Sequence, residues 1–141
     1  MAVKTDMSKA YDRLEWDFIR LVLERLGFHP KWVNWIMQCI DTVSYSFLLN
    51  GSAQGSVTPT RGIRLGDTLS PYLFILCSEV LSGLCLKAQA EGKLPGIRVA
   101  LGSPRVNHLL FADDTMCFCR SDRKSCLELM SILHKYEEAS G

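Results

Sequence analysis

The chain has 141 residues, 48% of them hydrophobic, with a formal net charge of +1. That apolar content suffices for one sizeable core and excludes a disordered chain, while the near-neutral balance excludes the strongly basic electrostatics of an autonomous nucleic-acid binder. Six cysteines without an N-terminal secretory pattern read as reduced, buried thiols and not as a disulfide framework.

In chain order, a short strand ends at Asp6. Asp12, with Glu15 three positions on, has the form of a helix cap, and Trp16, Ile19, Val22, Leu23 and Leu26 then recur at helical spacing until Gly27. Pro30 opens a second helix with Trp32, Trp35, Ile36, Cys39 and Ile40 along its apolar side. From Val43 to Leu49 apolar and polar residues alternate, and Asn50-Gly51 signals a tight hairpin. The returning segment leads to Arg61 and a Gly-containing stretch, where Gly62 and Gly66 permit torsions or close approaches that other residues resist.

Ser70 and Pro71 have the character of an N-cap and first-turn residue for a helix running to about Ala90. From Tyr72 to Cys77 it is apolar on every side, which predicts burial against a sheet; Glu79 interrupts the run well before the roughly 20 residues a bilayer requires. Strands are expected over residues 97–101 and 106–111. A second hairpin turns at Ala112-Asp113-Asp114 into the apolar run Met116 to Cys119. A last helix near residues 122–139 is expected to present Leu127, Met130, Leu133 and Tyr136 inward. The order predicts one α+β domain, helices packed on one face of an antiparallel sheet.

Three blocks concentrate the chemistry: K-T-D-M-S-K-A-Y-D from Lys4 to Asp12, R-G-I-R-L-G-D-T-L-S-P from Arg61 to Pro71, and H-L-L-F-A-D-D from His108 to Asp114. A strand ending at Asp6 and a hairpin tip at Asp113-Asp114 can bring distant carboxylates to one sheet edge. Carboxylate oxygens on short stems suit hard divalent cations, and phosphoryl transfer asks the protein mainly for positioning and charge stabilisation. Adjacent aspartates also occur in ordinary solvated turns. Here an apolar tetrad precedes the pair and an apolar run follows it, which sets the acids beside a buried sheet. A zinc site from Cys117, Cys119, Cys126 and His134 lacks the spacing of known fingers.

In this order the blocks resemble motifs A, B and C of the reverse transcriptases of non-LTR, LINE-type retrotransposons, over nearly the whole chain. The resemblance implies a polymerase palm in which Asp6 and Asp113 bind catalytic metal, two Mg²⁺ or Mn²⁺ ions, with Asp114 as the supporting carboxylate. It implies that Tyr11 screens the incoming sugar for deoxyribose, and that Met7, Arg64 and Gly66 border the nucleotide. Arg61, Gly62, Leu65, Asp67, Ser70 and Pro71 would carry the floor under template and nucleotide. Where the family usually reads R-Q-G-D-P-L-S-P, this chain has Leu65 and Thr68, and leucine can neither donate nor accept a hydrogen bond.

The implied partners are an RNA template, a DNA primer, deoxynucleoside triphosphates and the rest of a retroelement polyprotein, with no membrane. The implied domain is a partial one, residues 1–141 forming the palm while fingers, motif D and thumb are missing, and the implied location is intracellular, nuclear by family analogy. Two readings stand beside polymerase: a non-catalytic retroelement remnant or interaction module, and an RNA-binding sheet with Tyr45 and Phe47 exposed, for which the RNP pattern is missing.

Overall fold

A computed structural model describes residues 1–7 and 9–141. The elements are β1 (Ala2–Asp6), α1 (Ala10–Arg13), α2 (Trp16–Arg25), α3 (Pro30–Asp41), β2 (Tyr45–Leu49), β3 (Ser52–Val57), α4 (Ser70–Ala90), β4 (Ile97–Arg98), β5 (Arg105–Val106), β6 (His108–Phe111), β7 (Asp114–Phe118) and α5 (Arg123–Ser140). The main sheet is antiparallel, in the order β1-β7-β6, and two small hairpins, β2–β3 and β4–β5, stand apart from it. The expected α+β architecture is present. Helices cover one face of the sheet: α4 touches β6, α2 and α5, and α3 packs on α2.

Strand alternation divides the sheet into two faces. Thr115 and Cys117 of β7 are buried against the helices, as are the half-buried Val3 and Thr5 of β1. The other face is open and carries Lys4, Asp6, Asp114, Met116, Leu109 and Phe111. The core under the covered face is built from Leu14, Ile19, Val22 and Leu23, from Leu73, Phe74, Cys77, Leu81 and Cys85 of α4, and from Leu129, Ile132 and Tyr136 of α5. Length and composition alone would let α4 cross a bilayer. Its buried residues are instead spent on this core.

Several local expectations are corrected. Asp12 caps nothing among the described residues: residues 9–13 close on themselves through bonds from Asp12 N and Arg13 N to Lys9 O, and Glu15, the N-cap of α2, makes no side-chain cap bond. Glu15 turns its carboxylate to Arg61 instead, at 3.2 Å. On α3 the buried side is Val33, Ile36, Met37 and Ile40, which leaves Trp35 and Cys39 exposed, about 100° around the helix from Ile36 and Ile40 respectively. The cap of α4 falls on Leu69, whose N–H is held by the Asp67 carboxylate at 3.1 Å; Ser70 lies buried inside the first turn. Tyr72 and Ile75 of α4 face solvent, because a single helix cannot bury all its sides against one sheet and two neighbours.

The strand expected over residues 97–101 shrinks to Ile97–Arg98, since its partner β5 is only two residues long. On α5 Tyr136 is buried and Leu133 partly buried as expected, but Leu127 and Met130 are exposed, and Leu129 and Ile132, two positions on, take the inward places. Asn50 and Gly51 both take positive φ, 50° and 79°, as the tight β2–β3 turn requires.

Candidate active site

The first strand and the acidic hairpin meet directly. In the β1–β7 ladder Asp6 is paired with Asp114, Thr5 with Thr115 and Lys4 with Met116. Paired residues point to the same side of a sheet, so Asp6 and Asp114 share the open face at its end. Phe111 is paired with Asp114 across β6–β7, leaving Ala112 and Asp113 as a two-residue turn. Ala112 sits at φ 52°, a left-handed conformation that costs a non-glycine residue about 1–2 kcal/mol and that concentrates at functional sites. Asp113 O accepts a hydrogen bond from Met7 N at 3.4 Å, which ties the turn to the end of β1.

One cation already stands in this acidic field. Lys4 Nζ contacts Asp114 Oδ1 at 3.0 Å, a diagonal neighbour on the open face. That hydrogen bond, then the charge of Asp114, raises the lysine pKa, and the charges of Asp6 and Asp113 push the same way. All three carboxylates therefore act on a single ammonium group. Among the described residues, no three His, Cys, Asp or Glu side chains form a ready cluster for a metal ion.

The first two sequence blocks are also joined. Ile63 N donates to Tyr11 O, Gly62 N to Leu14 O, and Trp16 Nε1 to Gly62 O, each at 2.8 Å. Gly62 has φ 86°, and a Cβ there would lie 2.7 Å from Asp12 O. The close approach expected at this glycine is therefore made to the chain's own backbone and not to a ligand. At Gly66, with the same φ, a Cβ would meet nothing within 4 Å.

Tyr11 stacks on Phe74 of α4, ring centroids 4.9 Å apart and planes 9° from parallel. Arg64, Leu65, Gly66 and Asp67 are exposed in the loop leading to α4, Leu65 at 78%, while Arg61 is held by Glu15 and Pro71 sits in the first helical turn. Sequence reading placed Lys4 at the start of the first block but did not pair it with Asp114; the i, j−2 relation across a β1–β7 ladder is the signal that finds it. Phe74 as the brace of Tyr11 and Trp16 as the clasp on Gly62 were not foreseen, since both depend on tertiary placement.

An open antiparallel sheet with helices packed on its other face is an α+β, palm-like fold. The reverse transcriptase (RNA-dependent DNA polymerase) family profile matches residues 1–141, and the chain belongs to that family. It is 72% identical over 69 residues to an uncharacterized mitochondrial protein of Arabidopsis thaliana, covering 49% of this chain and 57% of that protein. It is 31% identical over 115 residues to a retrovirus-related Pol polyprotein from the type-1 retrotransposable element R2 of Popillia japonica, covering 81% of this chain and 15% of the polyprotein. The corresponding polyprotein from element R2DM of Drosophila melanogaster is 29% identical over 116 residues, or 82% and 10% of the two chains. These R2 relatives accord with the non-LTR resemblance, and this chain spans only a part of each of the three.

Proposed function

We propose that the chain is the palm of an RNA-directed DNA polymerase that adds deoxynucleotides to a primer 3′-hydroxyl, with Asp6, Asp113 and Asp114 holding two divalent cations, Mg²⁺ or Mn²⁺. The observation that carries this reading is the register opposing Asp6 to Asp114 on the open face, beside a turn that bears Asp113. The donor set fits the ions. Magnesium keeps several waters and is bound through one or two carboxylates completed by substrate phosphates, so a closed protein cage is not required. The cations, when bound, would supply charge neutralisation for the attacking and leaving oxygens.

The remaining roles belong to the chain's own side chains. Lys4 holds Asp114 in place by one exposed ion pair, which a divalent ion can replace. Tyr11, fixed by stacking on Phe74, offers a rigid ring against which a sugar lacking the 2′-hydroxyl would fit. Met7, Arg64 and Gly66 would border the nucleotide. Arg61, Gly62, Leu65, Asp67, Ser70 and Pro71 would shape the floor beneath it, with Asp67 organising the start of α4. RNA template, DNA primer and the rest of a retroelement polyprotein are the proposed partners.

A second reading, a non-catalytic remnant, is favoured by Leu65: an exposed leucine offers no hydrogen bond to nucleotide or template. The experiment that separates the two replaces the matching segment of an R2 Pol polyprotein with residues 1–141 and follows primer extension. The polymerase reading expects extension that Asp113→Asn abolishes. Extension insensitive to Asp113→Asn refutes the site assignment, and a swap that folds but extends nothing, even with Leu65→Gln, supports the remnant.

A further inference from the structure

An apolar groove of about 610 Å³ lies between α2 and α4. Phe18, Val22, Leu76 and Val80 line it, and Leu21 and Leu26 stand half out of it, each 50% exposed. Two charged residues of α2 border the groove, Asp17 in the first helical turn and Arg25 in the last. Asp17, Leu21 and Arg25 follow one another at steps of four, so they form one stripe along the helix with Leu21 at its centre. Both charged residues are exposed, and among the described residues neither has an ion-pair partner within the chain. Glu79, the other charged residue on the rim, acts on His108 of the same chain, whose protonated form its charge favours.

The stripe is complementary to itself. When a second α2 lies antiparallel across it on a two-fold axis through Leu21, Asp17 comes opposite the copy's Arg25 and Arg25 opposite the copy's Asp17, because a two-fold interface makes every contact twice. The same arrangement sets the positive end of each helix dipole beside the negative end of the other. Leu21 and Leu26 of each copy then enter apolar surroundings that one chain alone leaves open to water. A uniformly acidic or uniformly basic helix in this groove would oppose one of the two charges, whereas a second copy matches both. We propose that the chain self-associates through this face as an antiparallel, two-fold dimer, α2 against α2. None of Asp6, Asp113 and Asp114 lines the groove, so dimerisation stands apart from the polymerase reading and from the carboxylate edge. A contact of a few leucines and a repeated ion pair is small, and small interfaces belong to transient pairs, which sets the dissociation constant on the order of 10–100 μM.

Sedimentation equilibrium of the 141-residue chain, from about 1 μM to about 1 mM, spans that constant. A reversible shift from monomer to dimer is expected. Asp17→Lys and Arg25→Glu should each weaken it about tenfold, since one reversal turns both copies of the ion pair into repulsions. An equimolar mixture of the two variants should return to within about threefold of the wild-type constant, because the substituted positions then face each other with opposite signs. Circular dichroism checks each fold. Should a reversal unfold the chain, Leu21→Gln on the axis replaces it and should weaken association by a similar factor. A monomer at every concentration overturns the proposal, as does self-association that ignores these substitutions and so marks a different face. Losses that mixing does not recover also overturn it.

Discussion

Replacing Gly62 by alanine should cost far more than the same change at Gly66, although both residues have φ 86°. The left-handed backbone alone penalises an alanine by roughly 1–2 kcal/mol at either site. At Gly66 nothing further is met, so about that cost is expected. At Gly62 the new Cβ would also lie 2.7 Å from Asp12 O, 3.0 Å from Asp12 C and 3.0 Å from Asp12 Cα, all backbone atoms with little freedom to yield. Forcing atoms into a filled space costs about 1–3 kcal/mol. Relief by moving the loop would strain the bonds from Gly62 N to Leu14 O, from Ile63 N to Tyr11 O and from Trp16 Nε1 to Gly62 O, each 2.8 Å. The total for Gly62→Ala is therefore about 2–5 kcal/mol, a large part of the ~5–15 kcal/mol of a whole domain. Urea denaturation followed by circular dichroism measures both variants. Equal midpoint shifts would show that the second block is not seated on the first as described.

Two further outcomes follow from the core. Burial lowers the His108 pKa from its ordinary 6.5, opposed in part by the charge of Glu79. The unfolded state then takes up the proton first, so this contribution to stability is complete above the unfolded pKa and is lost as pH falls from about 6.5 toward the folded value. His108→Gln should flatten the stability profile across that window; an unchanged slope would contradict the assignment. Among the thiols, exposed Cys39 should alkylate rapidly in the native chain, while Cys77, Cys85, Cys117 and Cys119 are buried. Burial pushes the Cys77 thiol up to about 12, and the hydrogen bond with Cys117, with burial adding to it, raises Cys85 further. Mass mapping after brief iodoacetamide treatment checks this order, and early modification of Cys77 or Cys85 would refute it.

The sequence made some elements plain because one local rule decided them. Asn50-Gly51 turned where it should, Pro30 began a helix, and the apolar tetrad before Asp113 became the edge strand of the sheet beside the turn. Periodicity failed where two faces of a helix were nearly equally apolar: Leu127 and Met130 compete with Leu129 and Ile132 on α5, and only the position of α4 selects between them. Asp12 followed by Glu15 had the form of a capping box, but both residues were claimed elsewhere, Asp12 by a turn closed on Lys9 and Glu15 by Arg61. At the site, the pairing of Asp6 with the acidic hairpin was legible from the blocks and their apolar flanks. The Lys4–Asp114 contact was not, because it depends on the diagonal geometry of a ladder whose register no single segment encodes.

Titration of the chain with Mn²⁺, followed by the loss of the free-ion electron paramagnetic resonance signal, asks directly whether the sheet edge holds divalent cations. Saturable binding is expected, weakened about tenfold or more by Asp6→Asn or Asp113→Asn, since each removes a hard oxygen ligand. Lys4→Met should tighten it by removing the competing ammonium group. Binding that ignores all three substitutions, or that is absent from the folded chain even with a deoxynucleoside triphosphate present, would contradict a shared cation site at Asp6, Asp113 and Asp114.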